Sequence, residues 1–261
     1  MPELPDVEVY RKKMSKCVKG GKIEKAEVRD ERAVKGPKTK KAFAKLKGKS
    51  VEKIIRRGKN LFLKSPGGGW FAFHFGMTGA VECFSGKEKE PPYTKVLFSF
   101  DSGKKLSYIL KRMLGKIEAI ESPKEYIKKK KIGPDALKAG YNVFEKEGEN
   151  YTGGVKNFLM SQDKISGIGN IYSDEILFQS KVHPAAKTDE LKGAGLKKLY
   201  RNTEKVLKEA IKKGADPDKL PRTWLLTNRK KNGKCPKCGG AVKKIKAGGR
   251  SAYYCALCQK K

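Results

Sequence analysis

The chain has 261 residues and a formal net charge of +33, from 61 Lys and Arg against 28 Asp and Glu. No run approaches the ~18 apolar residues of a membrane span, and the N-terminus lacks the apolar core of a signal peptide, so we expect a soluble intracellular protein. The length suits one large domain or two ordinary ones. The charge favours a polyanionic partner without distinguishing DNA from RNA or anionic lipid.

The first eight residues place a proline at the penultimate position with a carboxylate beside it. If Met1 is removed, Pro2 becomes an N-terminal secondary amine, and because an α-amino group titrates near pH ~7.7–8.0, a nucleophilic fraction exists at pH 7. Attack on an aldehyde-level carbon would give a cationic iminium, with Glu3 available to move protons. On these residues alone an ordinary helix start is favoured, since Pro5 suits a first turn.

Apolar residues then recur at helical spacing as far as Gly20-Gly21, which predicts an amphipathic helix. From Ile23 to about Ile120 the pattern changes to short β-rich runs punctuated by glycine, which is typical of a sandwich or barrel. A helical interruption is predicted at Ala42–Leu46. The predicted strands are Ile23–Val28, Val51–Ile55, Leu61–Leu63, Trp70–Phe75, Ala80–Phe84, Val96–Phe100 and Leu106–Ile109.

Two turns of this β-rich region carry polar side chains. Lys59 precedes a predicted strand, and His74 ends one, just before a loop in which Gly76 and Gly79 enclose Met77. Taken singly, Lys59 is best interpreted as a solvated turn lysine and His74 as a core histidine.

Beyond Glu121 the chain is rich in Pro and Lys to about Gly140, which indicates a connection between domains. Helical patterns follow at Asn142–Glu147, Val155–Gln162, Ile171–Ser180 and Leu191–Lys213. Before the third of them, Gly167 and Gly169 permit a tight turn, and Asn170 opens a helix whose free amides favour a phosphate. A Gly-x-Gly turn is weak evidence by itself.

The tail carries the strongest physical signal. Four of the six cysteines form two CxxC pairs separated by 16 residues: Cys235, Cys238, Cys255 and Cys258. This spacing, with a hairpin predicted from Ala241–Lys246 and Ser251–Tyr254, indicates one structural zinc, because four protein ligands leave no open coordination position. Cys17 and Cys83 are interpreted as core or surface thiols, and no disulfide is predicted.

The opening stretch, the run Phe158–Pro184 and the cysteine tail together resemble the formamidopyrimidine-DNA glycosylase and endonuclease VIII family over nearly the whole chain. The resemblance implies that Pro2 forms a Schiff base with damaged deoxyribose while Glu3 moves protons. It also implies that Lys59 joins them as a catalytic residue that, with His74, grips phosphates around the lesion.

Further roles implied by the resemblance concern the DNA. Met77 would slide into the gap left by the flipped base, and Arg112 would pair with the orphaned base, with Leu114 as a wedge beside it. Asn170 and Arg250 would contact the same phosphates near the lesion. The implied partner is damaged double-stranded DNA, with no membrane and a monomeric state.

The implied fold is α+β, with four segments. An N-terminal β-sandwich domain would span residues 1–120 and a linker residues 121–140. A helical helix-two-turn-helix domain would span residues 141–230, and a zinc-ribbon β-hairpin residues 231–261.

Three places depart from the family pattern. Leu114 stands where many members have phenylalanine, and Leu110 where they have aspartate. The segment Gly214–Cys235 is shorter than the one that closes over oxidised guanine in bacterial members, and Leu220–Leu225 looks more like the plant branch. These departures predict a tolerant pocket.

Two functions are therefore weighed, and a third, a protein that keeps the fold but has lost catalysis, is placed well behind the first. The first is a bifunctional DNA glycosylase and abasic-site lyase that excises formamidopyrimidines, oxidised guanine and some oxidised pyrimidines. The alternative is a non-enzymatic zinc-ribbon protein that binds nucleic acid. Charge and cysteines fit both, whereas the Pro2-Glu3 pair favours the enzyme, because a binding module has no use for a free proline amine.

Overall fold

The structure is a computed structural model that describes residues 1–67, 69–230 and 232–260. The chain divides into two compact units. The first contains Met1–Pro2 and Asp6–Lys130, and the second contains Glu3–Pro5 and the chain from Lys131 onward. The α+β fold class expected from the sequence is confirmed, with strands dominating the first unit and helices the second.

The β-rich part of the first unit forms two four-stranded antiparallel sheets, in the orders β1-β6-β7-β5 and β2-β3-β4-β8. The predicted strands are confirmed within a few residues, and β8 is an addition, a short run whose Ile117 is buried between polar neighbours. The elements of this part are α1 (Leu4–Val18), β1 (Ile23–Val28), α2 (Gly36–Ala44), β2 (Lys53–Arg57), β3 (Asn60–Ser65), β4 (Gly69–His74), β5 (Gly79–Ser85), β6 (Thr94–Phe100), β7 (Lys104–Leu110) and β8 (Lys116–Ile120).

The core of the first unit is aromatic. Phe73 of β4 meets Tyr108 of β7 edge-on at 5.8 Å between ring centroids, and Phe43 of α2 meets Phe98 of β6 in the same way at 5.6 Å. Such pairs add about 0.5–1.5 kcal/mol to the burial of their surface. Helix α1 covers this core with Val7, Met14, Cys17 and Val18, as its helical spacing predicts.

The structure corrects the prediction for Cys17 and Cys83, because it joins them in a disulfide. Cys17 lies near the end of α1 and Cys83 in β5, at a sequence separation of 66 and with 5.7 Å between their Cα atoms. A separation of this length carries no local signal. Only the packing of α1 on the sheet that contains β5 brings the two thiols together.

This disulfide should stabilise the first unit measurably. The loop it closes is long, and in the chain-entropy model a loop of this size is worth about 4 kcal/mol. We expect reductant to lower the melting temperature of the wild type and to leave that of a Cys17→Ala/Cys83→Ala variant unchanged. Equal melting of oxidised and reduced wild type in calorimetry would show that the bond contributes nothing.

The segment 121–140 contains a short helix, α3 (Pro123–Lys129), capped by the Ser122 side chain, which accepts a hydrogen bond from the Glu125 N–H. The second unit adds α4 (Tyr141–Glu149), α5 (Val155–Met160), α6 (Asn170–Ser180), α7 (Ala194–Lys212), β9 (Val242–Ala247) and β10 (Arg250–Cys255). The predicted helices and hairpin are confirmed within three residues at each end.

Helix α6 is the centre of the second unit, because it is buried on almost every side. Helix α7 packs on it through one apolar stripe that includes Leu199, Val206 and Ala210. The hairpin β9–β10 also packs on α6. None of the described helices is long and apolar enough to cross a lipid bilayer.

Candidate functional site

Glu3 is held at the start of α6. Its side chain is 1% exposed, and its carboxylate accepts hydrogen bonds from the backbone N–H groups of Gly169 at 2.6 Å, Ile171 at 2.8 Å and Tyr172 at 3.2 Å. The three donors lie at the positive end of α6. Glu3 is therefore fixed in position within the second unit.

The turn before α6 needs its two glycines for this arrangement. Gly167 has a φ of +116°, and a Cβ there would stand 2.9 Å from the Cβ of Leu4. A Cβ on Gly169 would stand 2.7 Å from Cγ of Glu3. The Gly-x-Gly spacing in the sequence therefore reflects close approach of the N-terminal segment, a contact that local pattern analysis cannot foresee.

Pro2 is buried immediately before Glu3, and Met1 is 53% exposed. While Met1 is attached, the nitrogen of Pro2 belongs to an amide and its lone pair is delocalised. Removal of Met1 would convert it to a secondary amine, and the anchored Glu3 is the next residue of the chain.

Lys59 and His74 lie at one end of the sheet that contains β3 and β4. Lys59 is in the turn between β2 and β3, and His74 ends β4 opposite Asn60. Partial desolvation of the ring, followed by the charges of Lys130 and Lys59, lowers the pKa of His74, so that the neutral form dominates at pH 7. The single-residue interpretation of His74 as a core histidine is wrong, because the residue is exposed.

The tautomer of this neutral ring follows from one contact. The backbone N–H of Gly76 donates to Nδ1 of His74 at 3.3 Å, so the ring proton resides on Nε2. His74 can then offer one uncharged donor beside the ammonium of Lys59, which suits a phosphate oxygen.

Met77, Arg112 and Leu114 come together on two adjoining loops of the first unit. Gly76 has a φ of +58°, and a Cβ there would stand 2.7 Å from the backbone nitrogen of Gly115, so the loops touch through their backbones. Met77 is 43% exposed and Leu114 is 50% exposed. Exposed apolar tips on a highly charged chain favour a role in contact with a partner.

Among the described residues, Arg112 is held through its backbone, and no acidic side chain forms a salt bridge with it. Its N–H donates to Oγ1 of Thr78 at 3.0 Å, which ties the two loops together. Leu110, where an aspartate was expected from the resemblance, is buried, and its Cδ2 lies 2.5 Å from where a Cβ on Gly115 would stand. The missing carboxylate is thus replaced by apolar packing.

A buried ion pair that sequence analysis missed supports Asn170. Lys156 of α5 and Asp174 of α6 are both fully buried and contact each other, and Lys156 Nζ also donates to the backbone oxygen of Asn170 at 3.3 Å and to Ser173 Oγ at 3.0 Å. Desolvation lowers the pKa of Lys156, and the charge of Asp174 opposes this effect. The sequence offered one signal for this pair, because Lys156 and Asp174 are charged residues within the otherwise mainly apolar or polar uncharged helices α5 and α6.

The second oxygen of Asp174 binds the tail of the chain. Oδ2 accepts from Nε of Arg229 at 2.8 Å and from the backbone N–H of Tyr253 at 3.1 Å, and the Arg229 guanidinium lies 4.7 Å from the centre of the Tyr253 ring. Asp174 therefore links α5, α6 and β10 through one carboxylate. Removing it would leave Lys156 buried without its anion, which typically costs 3–5 kcal/mol.

Glu175, the next residue, anchors the segment before the ribbon. Its carboxyl accepts from Gln179 Nε2 at 2.6 Å and from the Leu226 N–H at 3.0 Å. Burial raises its pKa to about 7, and these donors only partly oppose that shift. Glu175 therefore holds this segment against α6.

The four cysteines of the tail form a metal site. Their sulfur atoms all lie within 4.8 Å of one another, with Cys238 Sγ 3.5 Å from both Cys255 Sγ and Cys258 Sγ, and Cys235 Sγ 3.9 Å from Cys258 Sγ. A tetrahedron with zinc–sulfur bonds of ~2.3 Å has edges of about 3.8 Å, so the donors fit zinc. The predicted structural zinc is confirmed by this geometry and by the match to a zinc-finger family described below.

Arg250 is the first residue of β10 and is exposed at the tip of the hairpin, next to Gly248 and Gly249. The buried part of the ribbon is small. It comprises Cys235, Val242, Ala247, Ala252, Cys255 and Gln259. Of these, Val242, Cys235 and Cys255 pack on Phe178 and Leu225.

Two β-sheets that precede a helix-two-turn-helix and a four-cysteine ribbon define a DNA-repair glycosylase with a zinc finger. Family models match in the same order: the formamidopyrimidine-DNA glycosylase N-terminal domain over residues 1–117, its H2TH domain over 132–220, and the zinc finger found in FPG and IleRS over 233–261.

Whole-chain comparisons agree. A formamidopyrimidine-DNA glycosylase of Arabidopsis thaliana is 30% identical over 100% of this chain and 71% of its own length. The Lactococcus lactis enzyme bound to DNA with an abasic site is 30% identical, with a TM-score of 0.85, over 99% of this chain and 100% of that one. A MutM protein in complex with carbocyclic 8-oxo-G containing DNA is 30% identical, with a TM-score of 0.85, over 100% of both chains. The chain belongs to the formamidopyrimidine-DNA glycosylase family.

Proposed function

We propose that the protein is a bifunctional DNA glycosylase and abasic-site lyase that excises oxidised bases from double-stranded DNA. The observation that carries this proposal is the fixed carboxylate of Glu3 beside Pro2, with three backbone donors holding it. A protein that only binds DNA has no need of such an anchored pair. The relatives solved with abasic-site and 8-oxo-G containing DNA support the same substrate class.

The reaction begins once Met1 is removed. The nitrogen of Pro2 attacks C1′ of the damaged nucleotide, the C1′–N bond breaks, and the base leaves with the bonding electrons and takes up a proton. Opening of the sugar ring at O4′ leaves an iminium between Pro2 and C1′. Its positive charge acidifies C2′.

Strand cleavage follows from that iminium. A proton leaves C2′ and the 3′-phosphate departs with the C3′–O electrons, after which a second elimination can release the 5′-phosphate. Water then hydrolyses the Schiff base and frees Pro2. Glu3, the residue after Pro2 in the chain, moves protons in these steps, and its carboxylate is already fixed in position.

The remaining residues hold and deform the DNA. Lys59 and neutral His74 bind phosphates, while Asn170 and Arg250 bind the phosphates nearest the lesion. Met77, Arg112 and Leu114 enter the duplex to fill the space of the flipped nucleotide, since unstacking must precede access to C1′. The net charge of +33 supports binding to the backbone. One zinc, held by the four cysteines, keeps the ribbon folded.

The pocket is proposed to be open and tolerant. In the described part of the segment 214–235, Leu220, Trp224 and Leu225 are buried in the second unit, so these residues are committed to packing rather than to a lid. Leu114 has no aromatic face to stack on the opposite base. The excision rates of different lesions should therefore follow how readily each damaged base departs from C1′.

A panel of duplexes that each hold one lesion tests this function. We expect formamidopyrimidines and further-oxidised guanines to be excised well, 8-oxoguanine about tenfold more slowly, and oxidised pyrimidines to some degree, because one tenfold step needs only about 1.4 kcal/mol of lost pocket contacts. Undamaged duplex is the control. Fastest excision of 8-oxoguanine opposite cytosine would refute the open pocket, and no excision of any lesion would refute the glycosylase.

A further inference from the structure

The tip of the β9–β10 hairpin rests on a side chain of α5. Gly248 has a φ of +61°, and the Oδ1 of Asn157 occupies the space that a Cβ on Gly248 would need, with Nδ2 at 3.0 Å from the same point. Gly249 has a similar φ of +69°, but a Cβ there would meet no atom of the described residues within 4 Å. One glycine of the turn therefore touches α5, and its neighbour does not.

The base of the hairpin is fixed separately. The Tyr253 N–H donates to the buried Asp174, and Cys255 is one of the four cysteines of the metal site. Arg250 stands between this fixed base and the glycine turn, opposite Ala247 in the ladder. The direction of the hairpin tip therefore depends on the Asn157 side chain that contacts Gly248. The same contact sets how far Arg250 can reach.

Helix α5 also supports the other phosphate-binding residue. Lys156, the residue before Asn157, donates to the backbone oxygen of Asn170 at 3.3 Å. Two consecutive residues of α5 thus contact the two segments that carry Asn170 and Arg250. A common support keeps two groups at a constant separation, as a single bound phosphate requires.

We propose that Asn157 is a positioning residue that sets the height of the hairpin tip, so that Arg250 and Asn170 reach the same DNA phosphates. This inference rests on the proposed function, in which Arg250 binds a phosphate. Neither Asn157 nor Gly248 contacts DNA in it. The pair acts through Arg250 alone.

Two alanine substitutions in the turn distinguish the effect of the Asn157 contact from the effect of backbone strain at positive φ. Gly248→Ala and Gly249→Ala both place a Cβ at positive φ, but only the first collides with Asn157. With a duplex that holds a stable abasic-site analogue, we expect Gly248→Ala to raise Kd by about tenfold and to make the salt dependence shallower by about one phosphate's worth. Gly249→Ala should change Kd by less than about twofold, the range of a substitution without contacts.

Relief of the collision is the decisive arm. Asn157→Ala removes the atoms that the new methyl group meets, so Asn157→Ala/Gly248→Ala should bind more tightly than Gly248→Ala. Asn157→Ala alone should bind more weakly than the wild type, with a shallower salt slope, because the tip then loses its support. Gly248→Ala/Arg250→Ala should bind no more weakly than Arg250→Ala, because the tip matters only through that side chain. Zinc content should stay at one per chain in every variant.

The outcomes distinguish the positioning role of Asn157 from the proposed phosphate contact of Arg250. If Arg250→Ala changes neither Kd nor the salt slope, the phosphate contact itself is wrong. If Arg250→Ala weakens binding while Gly248→Ala matches Gly249→Ala, the contact stands and the role of Asn157 is wrong. Additive losses in Gly248→Ala/Arg250→Ala would also overturn it, because the turn would then act on binding by another route.

Discussion

Replacing Pro2 with glycine is expected to lower borohydride trapping on abasic-site DNA by at least about 10³-fold, the scale on which loss of a covalent nucleophile acts. A secondary amine gives an iminium that is always cationic, whereas the primary amine of glycine gives an imine that must first be protonated. Glycine also lacks the pyrrolidine ring that restricts the direction of the nitrogen. Trapping is measured as a covalent protein–DNA adduct on a denaturing gel, with intact-mass analysis to show Met1 missing.

Two controls test whether the nitrogen of Pro2 is the reacting atom. An uncleaved residue added before Pro2 keeps every side chain but turns the nitrogen into an amide, and it should abolish trapping. Pro5→Ala changes the nearby proline of the first turn of α1 and should leave trapping intact. Wild-type trapping by the extended chain or by Pro2→Gly would sink the assignment of Pro2.

Glu3→Gln should separate the two activities. Glutamine keeps the size of the side chain but cannot act as an acid or base, so excision of a damaged base should fall more than cleavage at a preformed abasic site, where no base departs. The loss is expected at about 10²–10⁴-fold in excision. Equal losses in both assays would indicate that Glu3 only supports the turn before α6.

Removal of zinc is expected to unfold the ribbon and to weaken DNA binding. The ribbon buries only a handful of apolar side chains of its own, so metal binding supplies most of its folding free energy, about 10–16 kcal/mol in isolated zinc fingers. Cys255→Ser, or chelation, should release one zinc per chain and misplace Arg250. Metal analysis and Kd measured on the same sample check both effects.

Cys17→Ala/Cys83→Ala is the matched control for the zinc experiment, because it removes two cysteines and leaves the four ribbon thiols in place. It should retain one zinc and wild-type affinity. Full binding and cleavage by a verified zinc-free sample would contradict the structural role of the metal.

Much of this protein could be predicted from local patterns. The helical spacing of Val7, Met14 and Val18 predicted α1, and the cysteine spacing predicted the ribbon and its metal. Both signals are short in sequence, since a helix repeats every 3.6 residues and a zinc ligand pair needs only two intervening residues. The Gly-x-Gly turn before Asn170 was visible for the same reason.

Contacts between distant segments were decided only by the tertiary structure. The Cys17–Cys83 disulfide, the seat of Glu3 on the amides of α6, the buried Lys156–Asp174 pair and the contact of Asn157 with Gly248 each join residues that no local period connects. A sequence pattern states which face of an element is apolar, but not which segment will cover that face. Sequence alone thus determined the elements and the metal ligands and predicted a reactive N-terminus, whereas folding determined which side chains position them, because those positions depend on long-range packing.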